Sequence, residues 1–192
     1  MDATSDPRPQ FLAALGQLEK LVGAAEPELL GRPTPCDGFD LRALLGHTLG
    51  VAHRVAYTGE GGRGLDLPSA VGRIADTDWA GAAGRAHARV AAAWADGTAL
   101  DRAVEVPWGV VPGRAALAGY LVEIVTHTWD IAQVVDPAAE LDAGLAQAAL
   151  DTARAFVPAE PRGGAVPFGP VSPAPDGASV HVRLAAWLGR RI

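Results

Sequence analysis

The residues able to do chemistry in this sequence gather in one segment. Along Tyr120 to Val135 the polar residues are Tyr120, Glu123, Thr126, His127, Thr128, Asp130 and Gln133. In an α-helix Glu123 and His127 fall about 40° apart and Asp130 about 20° to the other side of Glu123, so the three form one stripe. Two readings of that stripe are open. One is the solvated face of an amphipathic helix, where such neighbours contribute about 0.2–0.5 kcal/mol per pair. The other is a metal-ligating edge. The stripe is narrow, contains no Lys or Arg, and sits in the most apolar segment of the chain. An unpaired carboxylate is costly there, and a divalent cation would neutralise it. Two ligands on one helix hold a metal weakly, and His47 is the best-placed residue to supply a third from a second helix. His53 lies about 120° around that helix from His47. Like His87 and His181, it reads as an ordinary surface or boundary histidine.

These residues need elements to position them. From Pro9 to Ala25 the apolar residues Phe11, Leu12, Leu15, Leu18, Leu21 and Val22 recur every three or four positions, which predicts a first helix. The Pro- and Gly-rich segment Gly31 to Gly38 is an irregular connection. Asp40 then serves as N-cap of a second helix that carries His47 and runs to about Tyr57. Gly46 and Gly50, one turn apart in it, imply that another backbone or a ligand comes close. A flexible loop spans Gly59 to Pro68, and a third helix spans about Asp78 to Asp96. The segment Ala103 to Gly113 reads as a short hairpin around a Pro-Trp-Gly turn. The fourth helix, Arg114 to Val135, stops at Asp136-Pro137, and a fifth spans Leu141 to Phe156. Pro158 to Ser179 is expected to cover the bundle, anchored by Val166, Phe168 and Val171. A last short helix lies near Val180 to Gly189. Trp79, Trp94, Trp129 and Trp187 read as core, and Trp108 as a residue that could line a pocket. Four main helices without a sequence repeat predict a helical bundle, in which sites are built from inward side chains on facing helices. The expectation is one domain over 1–192.

Composition narrows the function. A net charge of -6 with scattered arginines and the sole lysine Lys20 leaves no footprint for a phosphate backbone, so nucleic acid is an unsuited partner. No segment is long and uncharged enough for a membrane span. The acidic start without an apolar core is unlike a secretory signal, so a cytoplasmic protein is expected. With Cys36 as the single cysteine, neither an internal disulfide nor a cysteine-cluster zinc site can form. The Ala- and Arg-rich composition fits a GC-rich genome such as that of an actinobacterium.

The strings Thr34-Pro35-Cys36-Asp37-Gly38-Phe39 through Leu44-Leu45-Gly46-His47, then Glu123-Ile124-Val125-Thr126-His127-Thr128-Trp129-Asp130-Ile131-Ala132, and finally Phe168-Gly169-Pro170 and Leu188-Gly189-Arg190 carry a resemblance. They resemble the actinobacterial branch of the DinB-like superfamily, which includes mycothiol-dependent maleylpyruvate isomerases and mycothiol S-transferases. The departures are Thr48 after the histidine, Thr128 before the tryptophan, and the further C-terminal domain that the isomerases carry. The resemblance implies an all-α, up-up-down-down four-helix bundle with extra C-terminal helices and a long covering loop. It also implies a divalent metal, zinc before other ions, held by His47, Glu123 and His127.

Two imidazoles and one carboxylate leave a fourth position open, the arrangement of a catalytic zinc site. A small thiol such as mycothiol could enter there as co-substrate and be deprotonated. The expected activity is transfer of that thiol to an electrophilic small molecule. A maleylpyruvate-type cis-trans isomerase is the runner-up, and a non-catalytic metal-binding module the third reading. Asp130 could orient a ligand or accept the thiol proton; a bond to backbone or to the Trp108 indole is its plain alternative. Arg54, seven residues after His47, could receive a carboxylate or hydroxyl of thiol or substrate, or be a surface arginine. Cys36 is expected to pack rather than react. The chain is expected as a monomer or homodimer.

Overall fold

The structure, a computed structural model, describes residues 6–164, 166 and 168–192. Six α-helices and one hairpin follow in the order α1 (Arg8–Gly23), α2 (Leu41–Gly59), α3 (Trp79–Ala93), β1 (Ala103–Val106), β2 (Gly109–Pro112), α4 (Gly113–Val135), α5 (Ala143–Phe156) and α6 (Val180–Trp187). No helix among the described residues is long and apolar enough to cross a membrane.

Each element starts where its sequence satisfies free amides. Asp40 accepts from the Ala43 amide to begin α2, and Asp142 accepts from Gly144 and Leu145 to begin α5, two residues later than the periodicity suggested. Ser179 caps α6 in the same way. Asp78 makes no cap and instead pairs with Arg85. The predicted third helix also overruns its C-terminal end. The chain leaves the helix at Trp94, whose indole N–H donates to Val55 O of α2 at 2.9 Å.

Helix α1 packs between α3 and α4, and α2 packs between the same two helices on the opposite side. With α1 diagonal to α2 and α3 to α4, this is the all-α up-up-down-down bundle that the resemblance implied. Helices α5 and α6 pair with each other and close over α4. Apolar stripes such as Phe11, Leu15, Leu18 and Val22 of α1 meet Leu44, Leu45, Leu117 and Ile124 in one buried cluster. Inside α4 the buried hydroxyls of Thr126 and Thr128 donate back to Val122 O and Ile124 O, so both are paired within the helix.

The glycines of α2 do what their spacing suggested. The loop at Ser69 to Val71 lies across the helix, and Val71 N donates to Gly46 O at 2.9 Å. A Cβ on Gly50 would come within 2.6 Å of the Ala70 backbone. Strands β1 and β2 pair antiparallel in the register Val106↔Gly109, which leaves Pro107 and Trp108 at the turn.

The segment after α5 packs down as a cover. Arg162 donates to Trp187 O and lies between the Phe168 and Trp187 rings, and Ser172 N donates to Ala186 O. Of its three expected anchors, Val166 and Phe168 are half-buried, whereas Val171 faces solvent. Trp79 and Trp94 are core as expected, whereas Trp129 and Trp187 are half-buried, since α5 and α6 cover only part of that face of α4. His181 corrects the sequence reading in the other direction. It is buried in the first turn of α6, and burial pushes its pKa down.

Candidate metal centre

The stripe on α4 is not a solvated face. Asp130 is fully buried, His127 is buried, and Glu123 is half-buried at the edge of a cleft. Helix α2 runs opposite, and it brings His47 Nε2 to 2.9 Å from Glu123 Oε1. His127 Nε2 lies 3.8 Å from the same oxygen. One ligand atom from each of the three residues falls within 4.8 Å of the others.

What stands behind each imidazole fixes its chemistry. His47 Nδ1 lies 2.9 Å from Ser69 O, a carbonyl that can only accept, so Nδ1 carries the proton. The close approach of the loop at Gly46 and Gly50 is what puts that carbonyl there. His127 Nδ1 lies 3.0 Å from Asp130 Oδ2, and Arg190 donates to both oxygens of Asp130, at 3.2 and 2.8 Å. Burial pushes the Asp130 carboxyl up. The bonds from His127 and Arg190 outweigh it and hold the group below its ordinary value, as a carboxylate. It therefore accepts from His127 Nδ1–H.

With each Nδ1 engaged from behind, both Nε2 atoms are turned toward the same carboxylate oxygen. Burial also pushes Glu123 up, but the His47 contact and the charges around it hold it below the usual range. Two ring nitrogens and one carboxylate oxygen therefore converge, and with both imidazoles neutral each offers a lone pair at the same point. That donor set fits a divalent cation, with Ser69 O and Asp130 as the outer partners that orient metal-binding histidines.

The centre opens on a cleft of about 690 Å³ walled by α2, the hairpin turn, α4, the end of α5 and the covering segment. Arg54 lines it, and its Nε donates to Leu67 O at 2.8 Å. Trp108 lines it too, half-exposed at the rim, with its ring laid against α4 at Gly119 and edge-on to Tyr120 at 4.9 Å. The expected site residues thus come together around one cleft, except Asp130, which sits behind His127 with both oxygens engaged. Its bond runs to neither backbone nor the Trp108 indole. Cys36 is half-buried near His127 and Asp130, and burial pushes its thiol up. The other histidines lie elsewhere: His53 near Arg89, and His87 on Glu19.

The sequence reading gave no role to Arg190, Ser69 or Tyr120, although Tyr120 stands in the polar run of α4 and Arg190 in one of the strings that carry the resemblance. Nothing local marks Ser69. Arg190 follows Gly189, whose positive φ of 82° and close packing on Gly169 turn the chain end back onto α4.

A family model described as the mycothiol maleylpyruvate isomerase N-terminal domain matches residues 11–132. Two proteins of Mycobacterium tuberculosis, from strains CDC 1551 / Oshkosh and ATCC 25618 / H37Rv, are each 30% identical over 188 residues, or 97% of this chain and 99% of theirs. Both bear the name of uncharacterized proteins. No solved structure matches the chain.

Proposed function

The chain belongs to the mycothiol maleylpyruvate isomerase N-terminal domain family, and from that premise we propose that it is a metal-dependent S-transferase. It joins mycothiol, or a similar small thiol, to an electrophilic molecule in the cytoplasm. The observation that carries this reading is the convergence of His47 Nε2, His127 Nε2 and Glu123 Oε1 at the floor of an open cleft. A divalent ion there, zinc first, would lower the pKa of an entering thiol and so supply a nucleophile at neutral pH.

The chain's own residues do the rest. Ser69 O and Asp130 hold the two imidazoles in the tautomer that presents Nε2. Arg190 keeps Asp130 ionised and fixed, so the part of Asp130 is to orient His127 rather than to take the thiol proton. No side-chain nucleophile is needed, which suits the raised pKa of the Cys36 thiol.

The test combines metal analysis with a thiol screen. One divalent ion per chain is expected in the wild type and none in His127→Ala, with both proteins helical. Conjugation of added mycothiol to a generic electrophile such as monobromobimane should need the metal. Full metal occupancy in His127→Ala, or metal-independent conjugation, would sink the reading. The family's description favours a second reading, a thiol-dependent cis-trans isomerase acting on a maleylpyruvate-like diacid. Thiol consumed one-for-one in a conjugate argues for transfer; thiol returned unchanged with an isomerised diacid argues for isomerisation.

A further inference from the structure

The cleft beside the triad is chemically one-sided. Its walls are largely apolar, and among the described residues Arg54 is the one Lys or Arg that lines it. Trp108 and Phe156, which border it, are 50% and 76% exposed, so large apolar rings stand partly uncovered at its mouth. Beneath them Tyr120 is 3% exposed, and its hydroxyl has no hydrogen-bond partner among the described residues. Burial pushes that phenol up to about 12, with Arg54 opposing the shift and Glu123 adding to it, so it keeps its proton at neutral pH. A buried hydroxyl is rarely left unpaired unless something else completes it.

Arg54 complements it. The bond from its Nε to Leu67 O fixes the guanidinium plane, and its remaining N–H groups have no partner among the described residues. Arginine can only donate, and a protonated phenol donates as well. The pair therefore recognises an acceptor oxygen. A diacid would bring two carboxylates to one arginine and strand the second charge among apolar walls.

We propose that Tyr120 and Arg54 form a donor subsite for the single carbonyl oxygen of an apolar, unsaturated carbonyl compound whose body lies against Trp108 and Phe156. This rests on the transferase reading for its chemistry. Tyr120 is three residues from Glu123, about 4.5 Å along the helix axis. An enone places two carbons between a sulfur held at the triad and its carbonyl, so one ligand can meet the triad and the neighbouring turn of α4 together. The sulfur's electron pair forms the bond to the β-carbon, the π pair of the double bond moves toward the carbonyl, and the oxygen gains negative charge. Tyr120 and Arg54 stabilise that oxygen as the charge develops. The α-carbon then takes a proton from water, so no oxidant or reductant is required.

The test is calorimetric titration of the metal-containing protein, without thiol, with benzylideneacetone and separately with maleate. Benzylideneacetone should bind at one site per chain and more tightly than maleate. Tyr120→Phe should weaken it by about fivefold, the loss of one neutral hydrogen bond, and Arg54→Gln by about tenfold or more, the loss of a charged donor, with metal content and helical signal unchanged. Phe156→Ser should weaken it without altering the effect of Tyr120→Phe. Maleate binding more tightly than the enone, or equal affinities in wild type and Tyr120→Phe, would overturn the subsite. Because thiol is absent, binding that follows this pattern but yields no conjugate once mycothiol is added retires the transferase reading and leaves the subsite standing.

Discussion

At the scale of single residues, the site depends on pairs that fix protons. Arg190 touches neither cleft nor ligand atom, yet it holds the carboxylate that orients His127. Arg190→Met and Asp130→Asn should therefore each weaken metal binding by about 10- to 100-fold, as measured by competition with a chelating indicator, and Arg190→Lys should recover part of the loss. Equal metal affinity across all four proteins would refute that role. Cys36→Ala should leave conjugation within about threefold, because a buried thiol with a raised pKa supplies little thiolate. Tyr120 offers a direct check on burial. Its neutral form is favoured in the fold, so its contribution to stability is present below pH ~10 and is lost as the pH rises through about 12. In a Tyr57→Phe background the tyrosinate absorbance of the still-helical protein should rise near pH 12. A rise at the ordinary value of ~10 would contradict the burial.

At the scale of elements, α2 is a helix interrupted by glycines for a purpose visible only in three dimensions. Alanine at a mid-helix glycine ordinarily gains about 0.5–1 kcal/mol. Gly16 in α1 should behave so, since an added Cβ would meet only His87 Cε1 at 3.7 Å. Gly50→Ala should do the opposite. Its Cβ would lie 2.6 Å from the Ala70 backbone, and overpacking of this kind costs about 1–3 kcal/mol. Displacing that loop also removes Ser69 O from His47, so Gly50→Ala should bind metal more weakly while Gly16→Ala does not. Chemical denaturation and a metal titration on the two variants decide the matter.

At the scale of the whole molecule, metal and fold are coupled through the contact of α2 with α4, because the ligands come from both helices. An ion bound only by the native state at 100 times its Kd adds about 2.7 kcal/mol. For a chain of this length that is a rise of about 5–10 °C in Tm, and confirmed removal by chelation should reverse it. An unchanged melting curve would argue that the three residues do not hold a metal. How much of this the sequence determined follows from the range of the forces involved. Helical periodicity, the Asp40 cap, the glycine pair in α2 and the stripe of Glu123, His127 and Asp130 are local, so spacing alone fixed which residues share a face. Whether that face met water or protein was not local. Its burial follows from α2, α5 and the covering segment closing over α4, and so do the burial of His181 and the exposure of Val171. The tertiary structure alone decided the proton positions, because Ser69 O and Arg190 reach His47 and Asp130 across 22 and 60 residues of chain. It also decided that the buried Tyr120 hydroxyl has no partner among the described residues, since a hydrogen bond is made or missing only once distant backbones have been packed together.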